Sequence, residues 1–411
     1  MAKNVDLVGE PWTSFAAVVE LIRSGDATSR PAIERVTGLG RSIVAERVGY
    51  LLEHGYILED ILAPSTGGRR ARILRMNPDA GFILMAAFGV TTRGVGIANA
   101  AGEILHVETT MFDIADGPQR TLANLNQTFD RLLSSNIAKG PLWGIAVGLP
   151  GPIEVSTGKP SSPPMMPGWD GYDVAGHLAR RYSAPVFIDN DVYLMALGEM
   201  RTGIAEAVDN FIFIKAGVGL GTAFISNGRA HRGANGLAGD IGHMTFDRKS
   251  SVVCRCGRLG CLEAIAGGYA VVRDARQAAE SGASPALANA LQTGGGLTLN
   301  DIVSIAERGD ALTVALLDSA GQTLGRIVGD YVTLFNPSLV VVGGWMSEAE
   351  VLMSALRASA YESSEPRTTR DLRIVRSPSQ SDLALRGALH LALDSIFTPQ
   401  NLADWWGEHS E

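Results

Sequence analysis

Apolar positions in the first part of the chain recur every three to four residues, the period of a helix with one buried face. Phe15 to Arg23 reads as such a helix, with Thr13 or Ser14 available as its cap, and Gly25-Asp26 ends it. A short second helix runs from Arg30 to Val36 behind Ser29. The turn Thr37-Gly38-Leu39-Gly40 follows, and a third helix starts at Arg41. Val44, Val48, Leu51 and Leu52 share the inner face of that helix, which leaves Arg41, Ser42, Ala45 and Glu46 outward near its start. Two short strand-like runs, Gly55 to Leu58 and Ala71 to Arg75, then flank a loop from Pro64 to Arg70. Helix, glycine-containing turn, helix and a hairpin carrying four arginines predict a winged helix-turn-helix over residues 1–75. In that arrangement the third helix enters the major groove, and Arg69 and Arg70 of the wing meet phosphates. The bland alternative is a helical bundle without DNA, and the basic hairpin weighs against it.

Residues 76–81 read as a compact linker, and beyond them the pattern becomes α/β. Strands are predicted at 82–87, 95–98, 142–148 and 186–188, with helices at 120–133 and 172–182. The idiom then repeats, with strands at 211–214, 223–225 and 339–342 and helices near 267–280, 310–329 and 383–396. Residues 281–298 read as a Gly/Ala/Ser-rich connection. The tail from Gln400 onward has no assigned structure.

Composition changes this picture in two ways. A hydrophobic content of 46% over 411 residues supports two or three cores. The net charge of -8 excludes a protein that coats nucleic acid generally. Residues 1–75 are nevertheless near neutral, with ten Lys/Arg against nine Asp/Glu, so the body carries the acidic excess. That contrast suits a DNA-binding head on an acidic sensor body. No run approaches a membrane span, and MAKNVDLVGEPW has no apolar signal region, so a soluble cytoplasmic protein is expected.

The candidate chemistry concentrates between Gly233 and Glu263. All three cysteines lie there, as Cys254-x-Cys256-x4-Cys261, with His243 upstream. Three thiolates and one imidazole make a complete tetrahedral zinc set with no open position, which predicts a structural ion rather than a catalytic one. Gly257 and Gly260 suit a tight knuckle around it. Asp240 and Glu263 bracket the cluster and predict a rigid polar site for a small ligand.

Four motifs together carry a resemblance. They are Ser65-Thr66-Gly67-Gly68-Arg69, Asn190-Asp191 after a strand, Gly233-x-x-Gly236-x-Ala238-Gly239-Asp240-x-Gly242-His243, and Cys254-x-Cys256-Gly257-x-x-Gly260-Cys261-Leu262-Glu263. They resemble the ROK family of repressors, open reading frames and sugar kinases, over about residues 13–398. The layout is similar to its xylose and N-acetylglucosamine repressor branch. The resemblance implies an actin-like ATPase body of two α/β lobes at 82–398, followed by a tail at 399–411. It also implies that Asn190, Asp191, Asp240, His243 and Glu263 contact a sugar, with His243 shared between sugar and zinc.

Several positions depart from the family pattern. Asp240 stands where Glu is usual, and Met165 falls near a usual Asn. The first phosphate turn reads Ala87-Phe88-Gly89-Val90-Thr91, without the carboxylate that organises Mg²⁺ and with Val90 in place of a glycine. The second reads Lys215-Ala216-Gly217-Val218-Gly219-Leu220-Gly221, without a hydroxyl, and Lys215 reads as a solvated side chain rather than as an anchor for an anion such as a sugar phosphate. ATP and Mg²⁺ are therefore not expected. Asp191 reads as a sugar ligand and a vestigial base rather than a working one, and no catalytic residue is assigned.

The expectation is a sugar-responsive transcriptional repressor of carbohydrate genes. Its partners are operator DNA and a monosaccharide, amino sugar or sugar phosphate, and half-sites imply a homodimer or homotetramer. The alternative is an ATP-dependent, glucokinase-like sugar kinase with a DNA-binding head. A metal sensor built on the cysteines is the third reading.

Overall fold

Val18, Val19, Ile33, Val44, Val48, Leu51, Ile57 and Leu74 are buried around one centre and close the N-terminal head. The computed structural model describes residues 11–61, 72–154, 156–293, 296–378 and 382–407. In the head, α1 (Pro11–Ser24), α2 (Arg30–Thr37) and α3 (Arg41–Glu53) precede an antiparallel ribbon of β1 (Ile57–Ile61) and β2 (Arg72–Met76). α2 carries a proline in its first turn, where no amide bond is lost, and stops at Gly38, whose φ of 71° favours glycine. Arg41, Ser42, Ala45 and Glu46 are all exposed along the first turns of α3. Arg69, Arg70 and the rest of the loop from Pro64 to Arg70 lie outside the described residues. The other two arginines of the ribbon are engaged within the head: Arg72 pairs with Glu59 at 2.6 Å and Arg75 pairs with Asp60.

Residues 76–81 are tied down. Asn77 donates its amide to the Gly55 carbonyl at 2.7 Å and accepts the Asp79 N–H, capping a single 3₁₀ turn.

The first body sheet is built from β3 (Phe82–Phe88), β4 (Thr92–Asn99), β5 (Ile104–Met111), β6 (Leu142–Leu149) and β9 (Val186–Asn190). Its order is β5-β4-β3-β6-β9, with β3, β6 and β9 parallel. Between its strands come α4 (Pro118–Ser134), the short ribbon β7 (Ile153–Glu154) with β8 (Lys159–Pro160), and α5 (Val174–Tyr182). Helix α6 (Asp191–Thr202) starts where β9 ends.

The second sheet repeats this topology. It holds β10 (Phe211–Ala216), β11 (Leu220–Ser226), β12 (Arg229–Ala230), β13 (Leu339–Gly343) and β14 (Arg373–Arg376), in order β12-β11-β10-β13-β14. Its helices are α7 (Leu262–Ala266), α8 (Gly268–Glu280), α9 (Pro285–Thr293), α10 (Leu299–Glu307), the long α11 (Ala311–Phe335) and α12 (Glu350–Ser363), whereas α13 (Leu383–Ile396) returns to the first sheet and α14 (Pro399–Gly407) to the head.

The sequence reading does not include β5, α6, α10, α12 or β14, and two further stretches differ from what it assigns. The connection 281–298 contains α9, held through buried Leu287. The tail from 399 forms α14, and Leu402 is fully buried in the cluster that also holds Phe15, Trp143 and Leu393. Head, first sheet and C-terminal helices thus share one apolar core. Among the described residues, no helix is long and apolar enough to cross a membrane.

Candidate functional site

The two β-hairpins β3-β4 and β10-β11 point their glycine turns toward one cleft, as their equal places in two like-ordered sheets require. The cleft is lined by Val90, Met165, Lys215 and Gly219 together with Asn190, Asp191, Asp240, His243 and Glu263. The chain therefore brings all five residues expected at a sugar site into one cavity.

Asn190 ends β9 and caps α6. Its Oδ1 accepts the Val192 N–H at 2.9 Å and its Nδ2 donates to the Gly151 carbonyl at 2.8 Å. That leaves one amide hydrogen and one lone pair for a ligand. Asp191 is 5% exposed and forms an ion pair with Lys215 from the end of β10. Burial raises the Asp191 pKa, and the ammonium opposes the rise. The expectation that Lys215 is solvated is thus corrected: its side chain is 18% exposed and bound to the carboxylate. Lys215 pairs with Gly221 of β11, and Gly221 packs against Val192 of α6, so the strand itself holds the ammonium beside the first residue of that helix.

Asp189, one residue before Asn190, is also buried. Arg232 donates from two nitrogens to its two carboxylate oxygens, at 2.6 Å each. The guanidinium lies 4.0 Å from the centre of the Tyr193 ring, and the Tyr193 hydroxyl donates to the His231 carbonyl at 3.1 Å. These three residues clamp the strap 231–239 against the start of α6. The sequence reading missed them. The one available signal was a lone arginine directly before the glycine-rich motif.

The strap delivers Asp240, which is open at the cleft mouth. Surrounding protein still raises its pKa, against the pull of His243 and Arg258. Glu263 opens α7, is 5% exposed, and accepts the Leu220 N–H at 3.1 Å. Trp169, fully buried, donates its indole N–H to the Ile114 carbonyl at 3.1 Å and anchors the loop that presents Met165. Met165 faces the cleft with Arg255 against its sulfur, and Arg255 in turn stacks 3.7 Å over the Tyr269 ring.

Between Asp240 and Glu263 the chain folds into a knuckle, with paired bridges Val253 to Leu259 and Thr245 to Cys261. Gly260 has φ of 66°, and a Cβ there would meet the Asp247 carbonyl oxygen at 1.8 Å. The ligand atoms of His243, Cys254, Cys256 and Cys261 all lie within 4.8 Å of one another. Cys256 and Cys261 Sγ are 3.7 Å apart, and Cys254 Sγ is 3.5 Å from His243 Nδ1. Tetrahedral zinc, with bonds near ~2.3 Å to sulfur and ~2.0 Å to nitrogen, requires ligand separations of about 3.5–3.8 Å. The donor set fits such an ion. Burial pushes the Cys254 thiol up to about 12. Desolvation also acts to raise Cys256, but hydrogen bonds with Arg258, Cys254 and Cys261 together bring it down to about 7. His243 also lines the cleft, so one imidazole faces both sites.

On the opposite wall, Ala87 is the last residue but one of β3, and Gly89 donates its N–H to the Thr92 carbonyl at 2.7 Å. No carboxylate stands in this turn, and Val90 projects into the cleft.

The ROK family profile matches residues 86–395. The xylose repressor of Caldicellulosiruptor bescii is 28% identical over 346 residues, covering 83% of this chain and 85% of that protein. A glucokinase of Halalkalibacterium halodurans is 32% identical over 262 residues, covering 64% of this chain and 79% of that one. Among solved structures, a ROK family transcriptional regulator described as a homolog of the E. coli MLC protein superposes with a TM-score of 0.77. It is 24% identical, and the match covers 94% of this chain and 98% of that one. With the profile spanning most of the chain and the two like-ordered sheets matching a solved family member, the chain belongs to the ROK family and its body has the family's actin-like sugar-kinase fold.

Proposed function

We propose that this chain is a sugar-responsive transcriptional repressor of carbohydrate genes, acting on operator DNA in the cytoplasm as a homodimer or homotetramer. Residues 1–75 form the winged helix-turn-helix head, joined through 76–81 to the sugar-binding body at 82–398 and the tail at 399–411. Arg41, Ser42, Ala45 and Glu46 face the bases, and Arg69 and Arg70 face phosphates. Asn190, Asp191, Asp240, His243 and Glu263 hold the sugar. His243, Cys254, Cys256 and Cys261 hold a structural zinc ion, which fixes the wall carrying two of those ligands and supplies no chemistry.

One observation carries this reading. Helix α6 bears Asp191 at the cleft and Arg201 one residue before its other end, where Arg201 pairs with Asp394 at 2.7 Å. Asp394 also pairs with Arg23 of α1 in the head, at 2.5 Å. A rigid element therefore runs from the ligand cavity to the head, which a ligand-shifted equilibrium between two head positions needs. Similarity to a xylose repressor over 83% of this chain supports the same assignment.

The test is fluorescence anisotropy of the full chain on the DNA upstream of its own gene, with and without a panel of sugars. Sequence-specific binding that one sugar changes at least tenfold is expected. Failure to prefer that DNA over a scrambled duplex under every condition sinks the proposal.

The second reading, ATP-dependent sugar phosphorylation, is favoured by the glucokinase relative and by a buried carboxylate in the cleft. Against it stand Ala87, Val90 and an Asp191 already engaged by an ammonium. A coupled assay with Mg-ATP over the same sugars decides. Turnover abolished by Asp191→Asn would establish the kinase.

A further inference from the structure

Lys215 and Asp191 meet inside the cleft as a preformed ion pair, and both line the cavity. Neither is free to move far. Asp191 is the first residue of α6, and Lys215 is fixed in β10 between Gly221 of β11 and Gly343 of β13. Among the described residues lining the cleft, Lys215 carries the only ammonium and there is no guanidinium, while Asp191, Asp240 and Glu263 contribute three carboxylates. The one cation is thus already neutralised, and the remaining wall is acidic.

This charge pattern decides between ligand classes. A phosphate monoester brings a charge of about -1.5 to -2, and it would face the carboxylates of Asp240 and Glu263 with no unengaged ammonium or guanidinium among the described residues lining the cleft. A hydroxyl group brings no charge and does two things at once: it donates to a carboxylate and accepts from an ammonium. An ion pair of fixed geometry is a reader for that group, because both bonds are charge-assisted and both are lost when the hydroxyl is absent.

We infer that Lys215 and Asp191 act as one unit that seats a single hydroxyl of an uncharged sugar, so that the effector is the free sugar and not its phosphate ester. The inference rests on the sugar-site reading above and names the ligand class of that site. It also gives Lys215 a specificity role: the ammonium that makes Asp191 a hydroxyl reader keeps it from accepting a proton as a general base.

Titration calorimetry of the full chain tests this with D-glucose, D-xylose and N-acetyl-D-glucosamine, and with glucose 6-phosphate and N-acetylglucosamine 6-phosphate. At least one free sugar is expected to bind, and any phosphate ester at least tenfold more weakly than its parent. For the sugar that binds, one monodeoxy analogue should lose at least tenfold in the unaltered protein. Lys215→Met should weaken the parent sugar at least tenfold and the same analogue less than twofold, a coupling that general loosening of the cleft would not produce. Tighter binding of a phosphate ester overturns the inference and leaves the sugar site standing, as does Lys215→Met binding the parent sugar unchanged. No binding by any sugar, free or phosphorylated, overturns the sugar site itself. The free-sugar and phosphate arms use the unaltered chain, so they hold even if Lys215→Met does not fold.

Discussion

Arg232 and Asp189 are joined by two parallel hydrogen bonds of 2.6 Å, and the carboxylate they bury also accepts the Asn190 N–H at 2.7 Å. The pair links the last strand of one lobe to the strap that opens the glycine-rich motif of the other. Its fork geometry, with the guanidinium stacked on Tyr193, is one that lysine cannot reproduce. Arg232→Ala strands the carboxylate of Asp189, whose side chain is 9% exposed. Because Arg232 itself is 37% exposed, the loss should fall at the lower end of the buried-pair range, at about 3 kcal/mol. Urea unfolding measures it. Arg232→Lys should recover less than half, and full recovery would show that charge alone, without the fork, holds the strap.

Zinc is the second test. Elemental analysis of purified chain should find one zinc per protomer, and Cys254→Ser should lower that content. Because metal affinity at such a site is folding free energy, stripping the ion should lower the thermal midpoint by at least ~5 °C. Reversible loss and regain of DNA binding with an unchanged midpoint would instead point to a metal sensor.

How much of this was legible in the sequence depended on the kind of signal. The Cys/His cluster was legible because three cysteines within eight positions leave few other meanings. The strands β3, β6, β10 and β13 were legible because central strands buried on both faces read as unbroken apolar runs. β5 was not, because an edge strand with Thr109, Thr110 and Met111 exposed has no apolar alternation to detect. α14 was hidden for a different reason: its partner α1 lies almost 400 residues upstream, and only tertiary contact makes its apolar positions a core. The Lys215–Asp191 and Arg232–Asp189 pairs share that property. In the sequence Lys215 reads as solvated, Asp191 as a sugar ligand, and Arg232 and Asp189 carry no assigned role, and only strand order brings each partner within reach.

His390 supplies a pH test. It sits on α13 near the junction of head and body, and burial pushes its pKa down to about 4. Asp394 pulls the other way, while Arg23, Arg201 and Arg386 add to the fall. Among the described residues its Nδ1 has no hydrogen-bond partner. The unfolded chain protonates this imidazole near ~6.5. Between that pH and about 4 the unfolded state therefore binds a proton that the folded state refuses. Stability should fall as pH drops through this window, by up to roughly 1.4 kcal/mol per unit, and should be indifferent to this group above ~7. His390→Gln should flatten the difference, measured as urea midpoints from pH 7 to 5. An identical slope in both proteins would remove His390 as the cause.

The crossing of α6 and α13 depends on two glycines. A Cβ on Gly387 would meet the Leu194 carbonyl oxygen at 1.8 Å, and one on Gly198 would meet the Leu383 carbonyl oxygen at 2.4 Å. The clashing atoms are backbone, so a rotamer change cannot relieve them. Gly387→Ala should therefore destabilise by roughly 3 kcal/mol despite alanine's better helix propensity. It should also shift how the sugar alters DNA affinity, since α6 carries Asp191. A stable Gly387→Ala protein with unchanged sugar response would separate this crossing from the coupling.

DNA recognition divides into two kinds of contact that respond differently to salt and sequence. Arg41 and Ser42 are exposed in the first turn of α3, the end that reaches base edges in a helix-turn-helix head. Arg69 and Arg70 belong to the proposed wing and are assigned to phosphates. A phosphate contact releases counterions, so its loss weakens all DNA alike and lowers the steepness of log affinity against log salt by about one per contact. Arg69→Ala with Arg70→Ala should therefore reduce that slope by roughly 2 while preserving the order of preferred sequences. A base contact carries discrimination of about 1–3 kcal/mol at one position. Arg41→Ala should flatten preference there and change the slope by no more than about one. Affinity across a salt series on a specific and a scrambled duplex reads both quantities. If Arg41→Ala weakened both duplexes equally, Arg41 would be a phosphate contact, and the base-reading end of α3 would have to be sought at Ala45 and Glu46.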